Sequence, residues 1–360
     1  MRTYVALAAL LVFAGSLGAQ TPQPTPPGDE VIRVSSRLVV VPVSITDNEG
    51  RPINGLTAAD LRLTEEGRDQ TIERVGIADS VPLEIALLFD VSASTDAMFP
   101  FQRATAAKFL KDVMRPDDRA SVFLVGEKCL LIQPRSDSAT AAMSLERVAP
   151  QKELTAFYDS VRSAADYLRT NAAPGSRKVV VIISDGEDTS SEGVTRAIWN
   201  AERKVADGLS GTKLRELRVK ARDEAKSSEQ ARVIKALQDA DTVFYSINPA
   251  GSSYQLNQMS VFGQQNMDRF AGETGGSAFL PRFLPIDTGD KDLNDANIRR
   301  NNQMLDGIFR QLASELRSQY LIQYYSEAEF PTDRFVKLQV AVPGRAGARI
   351  RARSGYFYRP

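Results

Sequence analysis

The sequence predicts an α/β protein with a doubly wound, mostly parallel open sheet that is inserted in, or flanked by, a small antiparallel β-sandwich. First, a nearly continuous apolar run, LEIALLFDVS, follows Pro82, which is typical of strands buried on both faces. Second, strand-like and helix-like segments alternate from there to about residue 320, the pattern of an open α/β domain. Third, both ends of the chain, residues 31–80 and 321–360, have antiparallel β character.

The composition excludes several functional classes. The chain has 360 residues, 42% of them hydrophobic, so it can bury substantial cores, and its length favours two domains. Its 45 basic and 45 acidic residues cancel, so no overall charge attracts nucleic acid or an anionic membrane. Histidine is absent, which removes the usual zinc ligand and the usual general base. Cys129 is the only cysteine, and we expect a buried strand residue rather than a reactive thiol.

The N-terminal residues resemble a targeting signal. MRTYVALAALLVFAGSLGAQ carries Arg2, an apolar run and small residues before Gln20, which predicts a cleaved signal peptide over residues 1–19. A membrane anchor is the alternative, but the run is shorter than the ~20 residues that a span requires. We therefore expect a mature chain without a transmembrane segment that is secreted or lies in the periplasm or cell envelope. The proline-rich residues 20–30 predict an extended linker.

The two β segments are expected to form one sandwich. In residues 31–80, apolar side chains alternate on one face and turns are predicted at 47–50 and 66–68; the apolar positions are Val39, Val41, Val43 and Ile45. Residues 321–360 contain strands that are too few and too short to be stable alone. We therefore expect the two segments to pair and stabilise each other, with the α/β domain of residues 81–320 inserted between them.

Two segments of the α/β domain have the character of insertions. Residues 205–238 place apolar side chains at helical spacing among mixed charges, which predicts a solvated helical hairpin rather than a nucleic-acid-binding patch. The apolar positions are Leu214, Leu217, Val233, Ile234 and Leu237. Residues 283–300 are polar and turn-rich, which predicts a long surface loop.

Oxygen-bearing side chains follow two of the predicted parallel strands, and a hydroxyl begins a helix between them. Sites in open α/β sheets lie beyond the carboxyl ends of the strands, where the strand order reverses. Carboxylates and hydroxyls suit a hard cation such as magnesium or manganese better than zinc. The sequence therefore predicts a divalent-metal site with these candidate ligands: Asp90, Ser92, Ser94, Thr155 and Asp185. Taken separately, D-x-S-x-S is also compatible with a helix cap, and SDG with a plain turn.

In combination, these motifs resemble the von Willebrand factor type A domain and its metal-ion-dependent adhesion site (MIDAS), over about residues 82–320. The motifs are DVSAS at 90–94, the threonine before FYD at 155, and SDG at 184–186. The resemblance implies that Ser92, Ser94 and Thr155 bind the metal through hydroxyls, and that Asp90 and Asp185 bind it directly or through water. It further implies Mg²⁺, or Mn²⁺ or Ca²⁺, with an open coordination position taken by an aspartate or glutamate of a protein partner.

The flanking β segments resemble the VWFA-related proteins known mainly from acidobacterial genomes, through VVPVSITDNEGRPINGL, LRLTEEGRDQTI and RARSGYFY. One segment departs from the MIDAS pattern, because Glu153 and Leu154 stand where relatives usually have glycines before the threonine. Glu153 either enters the site or is exposed, and we expect exposure. Glu187 and Asp188 either add charge near the metal or bind nothing, and helix capping by Asp188 or Thr189 is the simpler expectation.

The leading functional hypothesis is a secreted, non-enzymatic module for metal-dependent protein binding or adhesion. One alternative is a structural envelope scaffold whose metal site is vacant or purely stabilising. A less favoured alternative is a metal-dependent hydrolase, for which Glu153 and Glu187 are the nearby candidate bases. We expect no nucleic-acid partner.

Overall fold

The computed structural model describes residues 37–92, 99–151, 153–203, 211–248, 258–286 and 288–359. The predicted signal peptide, the linker and residues 31–36 lie outside these ranges. The strands are β1 (Arg37–Thr46), β2 (Arg62–Glu65), β3 (Arg68–Gln70), β4 (Ile72–Ile77), β5 (Leu83–Asp90), β6 (Arg119–Val125), β7 (Cys129–Ser136), β8 (Arg177–Ile183), β9 (Thr242–Ile247), β10 (Ala278–Phe279), β11 (Tyr320–Ser326), β12 (Phe335–Ala341), β13 (Arg349–Ala352) and β14 (Gly355–Phe357). The helices are α1 (Phe99–Val113), α2 (Ser138–Glu146), α3 (Phe157–Asn171), α4 (Glu192–Arg203), α5 (Gly211–Asp239), α6 (Gln258–Thr274) and α7 (Lys291–Ser318).

The central sheet has six strands in the order β10-β9-β8-β5-β6-β7. Its neighbouring strands are parallel, except that β7 runs antiparallel to β6. Every residue of β5 is buried, as the apolar run after Pro82 predicted. From β5 the chain crosses to β6 on one side and later to β8 on the other. The strand order therefore reverses at the carboxyl ends of β5 and β8.

Helices cover both faces of this sheet because successive side chains of a buried strand point to opposite sides. Leu87 and Phe89 of β5 belong to a core formed with α1, α2 and α7. Leu88 belongs to a second core formed with α3, α4, α5 and α6. The predicted fold class, a doubly wound α/β sheet combined with a β-sandwich, is confirmed.

The sandwich consists of two four-stranded antiparallel sheets, and each combines strands from both ends of the described chain. One sheet has the order β13-β1-β11-β4 and the other the order β14-β12-β2-β3. The alternating apolar residues of β1 are buried in the core between the sheets, as predicted. Pairing of β1 with β11 runs from Arg37 opposite Ser326 to Val43 opposite Tyr320.

A buried carboxylate links the two sheets of the sandwich. Glu65 of β2 accepts hydrogen bonds from the hydroxyls of Tyr324 (2.8 Å), Ser326 (2.9 Å) and Tyr356 (2.7 Å). Burial, reinforced by Glu65, raises the pKa of Tyr356 to about 12, so this phenol stays a hydrogen-bond donor. The network joins an N-terminal strand to two C-terminal ones.

The α/β domain begins and ends beside two neighbouring strands of the sandwich. Ile77, the last residue of β4, pairs with Tyr320, the first residue of β11. Next to this pair the amide of Ala78 donates to the carbonyl of Gln319 (2.8 Å). The Gln319 side chain binds Arg177 (3.0 Å) and the hydroxyl of Tyr245 (3.0 Å) in the central sheet. The end of α7 is thus hydrogen-bonded to the base of the α/β domain.

The expectation of a surface loop over residues 283–300 is wrong for its second half, because α7 begins at Lys291. Asp290 caps this helix by accepting from the amide of Leu293 (3.0 Å). The polar residues that suggested a loop bind the preceding segment instead: Asn297 donates to the carbonyl of Pro285 (2.7 Å), and Asn301 bonds both backbone groups of Leu284. Asn297 and Asn301 are therefore buried on one face of α7, where their side chains hydrogen-bond the backbone of the preceding segment.

The helical character predicted for residues 205–238 is present from Gly211 onward, but the predicted hairpin is wrong, because α5 is one continuous helix from Gly211 to Asp239. Its partner is α4, with which it shares a core that includes Val194 and Val233. Glu229 of α5 is buried and forms ion pairs with Arg162 (3.1 Å) and Arg232 (2.7 Å). Across the described ranges, no helix combines the length and hydrophobicity needed to cross a membrane.

Candidate metal centre

The candidate metal centre lies at the carboxyl ends of β5 and β8, where the strand order of the central sheet reverses. Phe89 of β5 pairs with Ile183 of β8, so Asp90 and the residues after Ile183 emerge side by side. This places Asp90 and Asp185 at one edge of the sheet, as expected for two parallel neighbours.

Asp90 is almost fully buried, and its carboxylate is held by two residues. Its Oδ1 accepts from the amide of Ser92 (2.9 Å), and its Oδ2 accepts from the hydroxyl of Ser184 (2.6 Å). Burial, reinforced by the charge of Asp185, raises the pKa of the Asp90 carboxyl to about 6. Two buried carboxylates thus follow neighbouring strands, where like charges disfavour the ionised form of Asp90.

The turn that carries Asp185 depends on two glycines. Gly186 has φ +76°, a left-handed conformation that glycine adopts without steric cost. A Cβ at Gly186 would lie 2.4 Å from the carbonyl oxygen of Gly263 in α6. Asp185 Oδ1 accepts from the amide of Glu187 (3.0 Å), which fixes the carboxylate within this turn. The sharp turn expected at Gly186 is present, and α6 packs directly against it.

Thr155 is joined to the loop after β8 through its backbone. Its amide donates to the hydroxyl of Thr189 (2.8 Å), and its carbonyl accepts from the amides of Thr189 (2.9 Å) and Ser190 (3.1 Å). Glu153 is exposed, as predicted, and its Oε2 accepts from the amide of Glu127 (3.3 Å) in the turn between β6 and β7. Thr155 is thus held beside the loop that follows Asp185, with Glu153 and Leu154 at the two preceding positions.

Ser92 is buried directly after β5, and its side chain also hydrogen-bonds Asp90. The other predicted serine ligand, Ser94, lies outside the described residues. The structure therefore brings Asp90, Ser92, Asp185 and the Thr155 loop to one edge of the sheet, and describes no position for Ser94.

Three residues support the site through contacts that the sequence analysis did not predict. Ser184 and Thr189 orient Asp90 and Thr155 through the hydrogen bonds above. Asp159 of α3 accepts from the amide of Glu192, the first residue of α4 (2.8 Å). In the sequence, the only signal for Ser184 was its position between a buried strand and a predicted ligand.

The expected capping role of Asp188 is confirmed, with a helix from elsewhere in the sequence as its main target. Asp188 accepts from the amide of Tyr158 in the first turn of α3 (3.3 Å) and from the Ser191 hydroxyl. Burial raises the pKa of the Asp188 carboxyl to about 6. Because these bonds occupy Asp188, it belongs to the frame of the site rather than to the candidate ligands.

The donor set fits a hard cation. Two repelling, buried carboxylates lie at adjacent strand ends, with hydroxyl groups beside them, and oxygen donors of this kind suit Mg²⁺, Mn²⁺ or Ca²⁺. Over the described ranges, no group of three or more Asp, Glu or Cys side chains is arranged to hold a metal ion. A cation at this edge would therefore need the hydroxyls as well as the carboxylates.

Comparison with known proteins identifies the domain. The sequence model of the von Willebrand factor type A domain family matches residues 85–187. This segment belongs to a von Willebrand factor type A domain. The match extends from β5 to the turn after Asp185, so it contains all five predicted ligand positions.

The solved structures that resemble the chain include one described as a von Willebrand factor type A protein and one described as having a MIDAS motif. A von Willebrand factor type A protein from Catenulispora acidiphila is 12% identical (TM-score 0.41), with 88% of this chain and 72% of that chain covered. Proximal thread matrix protein 1 from the mussel byssus, with a zinc-occupied MIDAS motif, is 12% identical (TM-score 0.41; 70% and 50% covered). BatB from Bacteroides thetaiotaomicron is 13% identical (TM-score 0.35; 62% and 99% covered). None of the curated proteins compared with this chain matches it.

Proposed function

We propose that the von Willebrand factor type A domain of this chain binds a divalent cation, Mg²⁺ or alternatively Mn²⁺ or Ca²⁺, and through it an aspartate or glutamate of a protein partner. The proposed ligands are Asp90, Ser92, Ser94, Thr155 and Asp185. The observation that carries the proposal is the burial of two carboxylates, Asp90 and Asp185, at the carboxyl ends of the neighbouring parallel strands β5 and β8. A cation between them would neutralise their like charges, and an open position on the cation would attract a carboxylate from outside.

We propose binding rather than catalysis. The chain contains no histidine, and Glu153, one of two carboxylates that a hydrolase would use as a base, hydrogen-bonds the Glu127 amide instead. The proposed location is outside the cytoplasm, in the secreted or periplasmic fraction, after removal of residues 1–19.

Metal binding is tested by thermal and urea unfolding in EDTA and in Mg²⁺, Mn²⁺ or Ca²⁺. At a free concentration 100 times its Kd, a cation that binds only the native state raises the free energy of unfolding by about 2.7 kcal/mol. Asp90→Asn should abolish this increase. Glu153→Gln removes a nearby exposed carboxylate and should retain it, which makes it the matched control. An unchanged increase in Asp90→Asn would contradict the assigned site.

Partner binding is tested by affinity capture from envelope and secreted fractions. Capture should occur in Mg²⁺, and should be lost in EDTA and with Asp90→Asn as bait. Changing the contacting aspartate or glutamate of the captured protein to its amide should also abolish binding. If Mg²⁺ stabilises the chain and every captured protein remains bound in EDTA, the site has only a structural role.

Location is tested by N-terminal sequencing of the chain recovered from the periplasm or medium of an expressing bacterium. The expected first residue is Gln20. Recovery of the chain only in membranes, with its N-terminus at Met1, would favour the membrane-anchor alternative.

A further inference from the structure

We propose that a groove beside Trp199 receives an apolar side chain from the same partner segment that supplies the carboxylate to the metal. This inference rests on the proposed function and adds a determinant of specificity to it. The Trp199 groove is bounded by residues 127–129, the first half of α3 and the first two turns of α4, and has a volume of about 640 Å³.

The groove is continuous with the candidate metal centre. Ala156, in its wall, directly follows Thr155. Ser190, also in its wall, donates its amide to the carbonyl of Thr155. The groove therefore adjoins the loop that carries Thr155, next to the residues proposed to hold the cation.

Trp199 gives the groove its apolar character. It is the only tryptophan of the chain, and 54% of its surface is exposed. The guanidinium of Arg203 lies 4.6 Å from the ring centroid. Exposed tryptophan is unfavourable in water, and tryptophan is enriched among residues that dominate binding energy at interfaces.

The remaining lining favours an uncharged occupant. Cys129 and Ala156 contribute apolar surface, and burial raises the pKa of the Cys129 thiol, which keeps it neutral. The charged lining residues are three acidic side chains, Glu127, Asp159 and Glu192, and two basic ones, Lys128 and Arg196. Glu192 is paired with Arg196. Because the net charge of this lining is slightly negative, it does not attract a carboxylate, so an apolar side chain suits the groove and the metal attracts the carboxylate.

The distance along α4 predicts how far apart the acidic residue and the apolar residue lie in the partner segment. Trp199 lies about two helical turns after Glu192, which is roughly 11 Å along α4 at ~1.5 Å per residue. The start of α4 adjoins Thr155 through Ser190. Since an extended chain advances ~3.3 Å per residue, the apolar side chain lies about three residues from the metal-bound acid.

The single tryptophan makes this inference directly measurable. Short capped peptides with one aspartate and a leucine three positions away, in either order, are titrated into the chain in Mg²⁺. A leucine that covers the indole should shift the Trp199 emission to shorter wavelength. Serine in place of leucine should remove the shift and weaken binding about tenfold, the equivalent of ~1.4 kcal/mol for a partly buried leucine. Asparagine in place of aspartate should abolish binding.

Variants separate the groove from the metal, with binding followed by the anisotropy of labelled peptides. Trp199→Ala and the groove-filling Thr195→Arg should lose the preference for leucine and keep Mg²⁺-dependent binding of the aspartate peptides. Leu293→Ala, which truncates an exposed apolar residue of α7, should behave like the unchanged chain.

The outcomes distinguish this inference from the proposed function. Aspartate-dependent binding in Mg²⁺ with equal affinity for leucine and serine peptides, and no emission shift, overturns the groove and leaves the metal site intact. Leucine-dependent binding that persists in EDTA overturns the link between the two. If no peptide responds to Mg²⁺ or to Asp90→Asn, the proposed function itself fails.

Discussion

The hydroxyl of Ser184 lies 2.6 Å from Asp90 Oδ2 and joins the carboxyl ends of β5 and β8 through a side-chain hydrogen bond. The hydroxyl oxygen of Ser184 also accepts a hydrogen bond from the amide of Gly186 (3.0 Å). One serine therefore orients the first predicted ligand and shapes the turn that carries the second.

Ser184→Ala is expected to destabilise the protein and weaken cation binding. The substitution removes a hydrogen bond to a buried carboxylate, which costs about 1.5–3 kcal/mol. We expect a loss of this size in urea unfolding and about tenfold weaker Mg²⁺ binding by calorimetry. Ser163→Ala, at an exposed hydroxyl of α3, is the control. Equal behaviour of the two variants would show that Ser184 does not support the site.

Gly186→Ala is expected to be more damaging than an alanine at another glycine of the same conformation. Both Gly186 and Gly175 have φ +76°, but a Cβ at Gly175 meets nothing within 4 Å, whereas one at Gly186 meets the Gly263 backbone. Gly175→Ala should cost about 1 kcal/mol from backbone strain alone. Gly186→Ala should cost at least 2 kcal/mol more and abolish Mg²⁺ binding. Similar losses in both would indicate that α6 moves away without cost.

Asp188→Asn is expected to reduce the dependence of stability on pH. In the folded chain burial raises the pKa of Asp188 to about 6, so between pH 4 and 6 the native state holds a proton that the unfolded state releases. The contribution of Asp188 to the free energy of unfolding therefore decreases as pH rises through that range, by up to about 3 kcal/mol, and is constant above it. The asparagine side chain cannot titrate, so Asp188→Asn should lose this part of the pH dependence of stability.

The measurement is urea unfolding in EDTA from pH 4 to 7.5. Asp90 titrates in the same range, so the difference between the unchanged chain and Asp188→Asn isolates Asp188. Asp166→Asn, at an exposed carboxylate of α3, should follow the unchanged chain. Parallel curves for Asp188→Asn and the unchanged chain would contradict the raised pKa.

Tyr324→Phe is expected to destabilise the sandwich. The phenol donates to the buried Glu65, and its removal leaves that oxygen with only the Tyr356 hydroxyl, at a cost of about 1.5–3 kcal/mol. The adjacent Tyr325→Phe is a matched control because Tyr325 is 48% exposed. Thermal unfolding should separate the two variants. A loss below about 0.5 kcal/mol for both would remove Glu65 from the residues that hold the sheets together.

Much of the fold, and the positions of two of the five predicted ligands at the sheet edge, follow from short-range sequence patterns. A buried parallel strand has an apolar run that is visible in one sequence, and a polar residue at its end lies at the sheet edge whatever the rest of the chain does. This is why LEIALLFD and VVVIIS correctly placed Asp90 and Asp185. The family match contains these positions, while the assignment of all five ligands remains a prediction.

The missed features depend on contacts between residues that are distant in sequence. Asn297 and Asn301 look like loop residues until the carbonyls of residues 284–285 are placed beside them. Ser184 and Thr189 are ordinary turn residues until Asp90 and the Thr155 amide lie opposite. The continuous helix α5 is stabilised by Arg162, which donates to its buried Glu229 from another helix. Local propensity carries no information on any of these partners.

The pairing of Ile77 with Tyr320 has a consequence for how such a protein can change over time. The α/β domain leaves and re-enters the sandwich at one point, between antiparallel neighbours, so it occupies the place of a hairpin loop. A folded insert whose two ends lie together adds little to the entropy cost of closing that loop. An entire domain can therefore be exchanged, shortened or duplicated at this point while every strand of the sandwich keeps its neighbours. The sandwich is therefore the constant part of this topology, and the inserted α/β domain is the part that can be replaced.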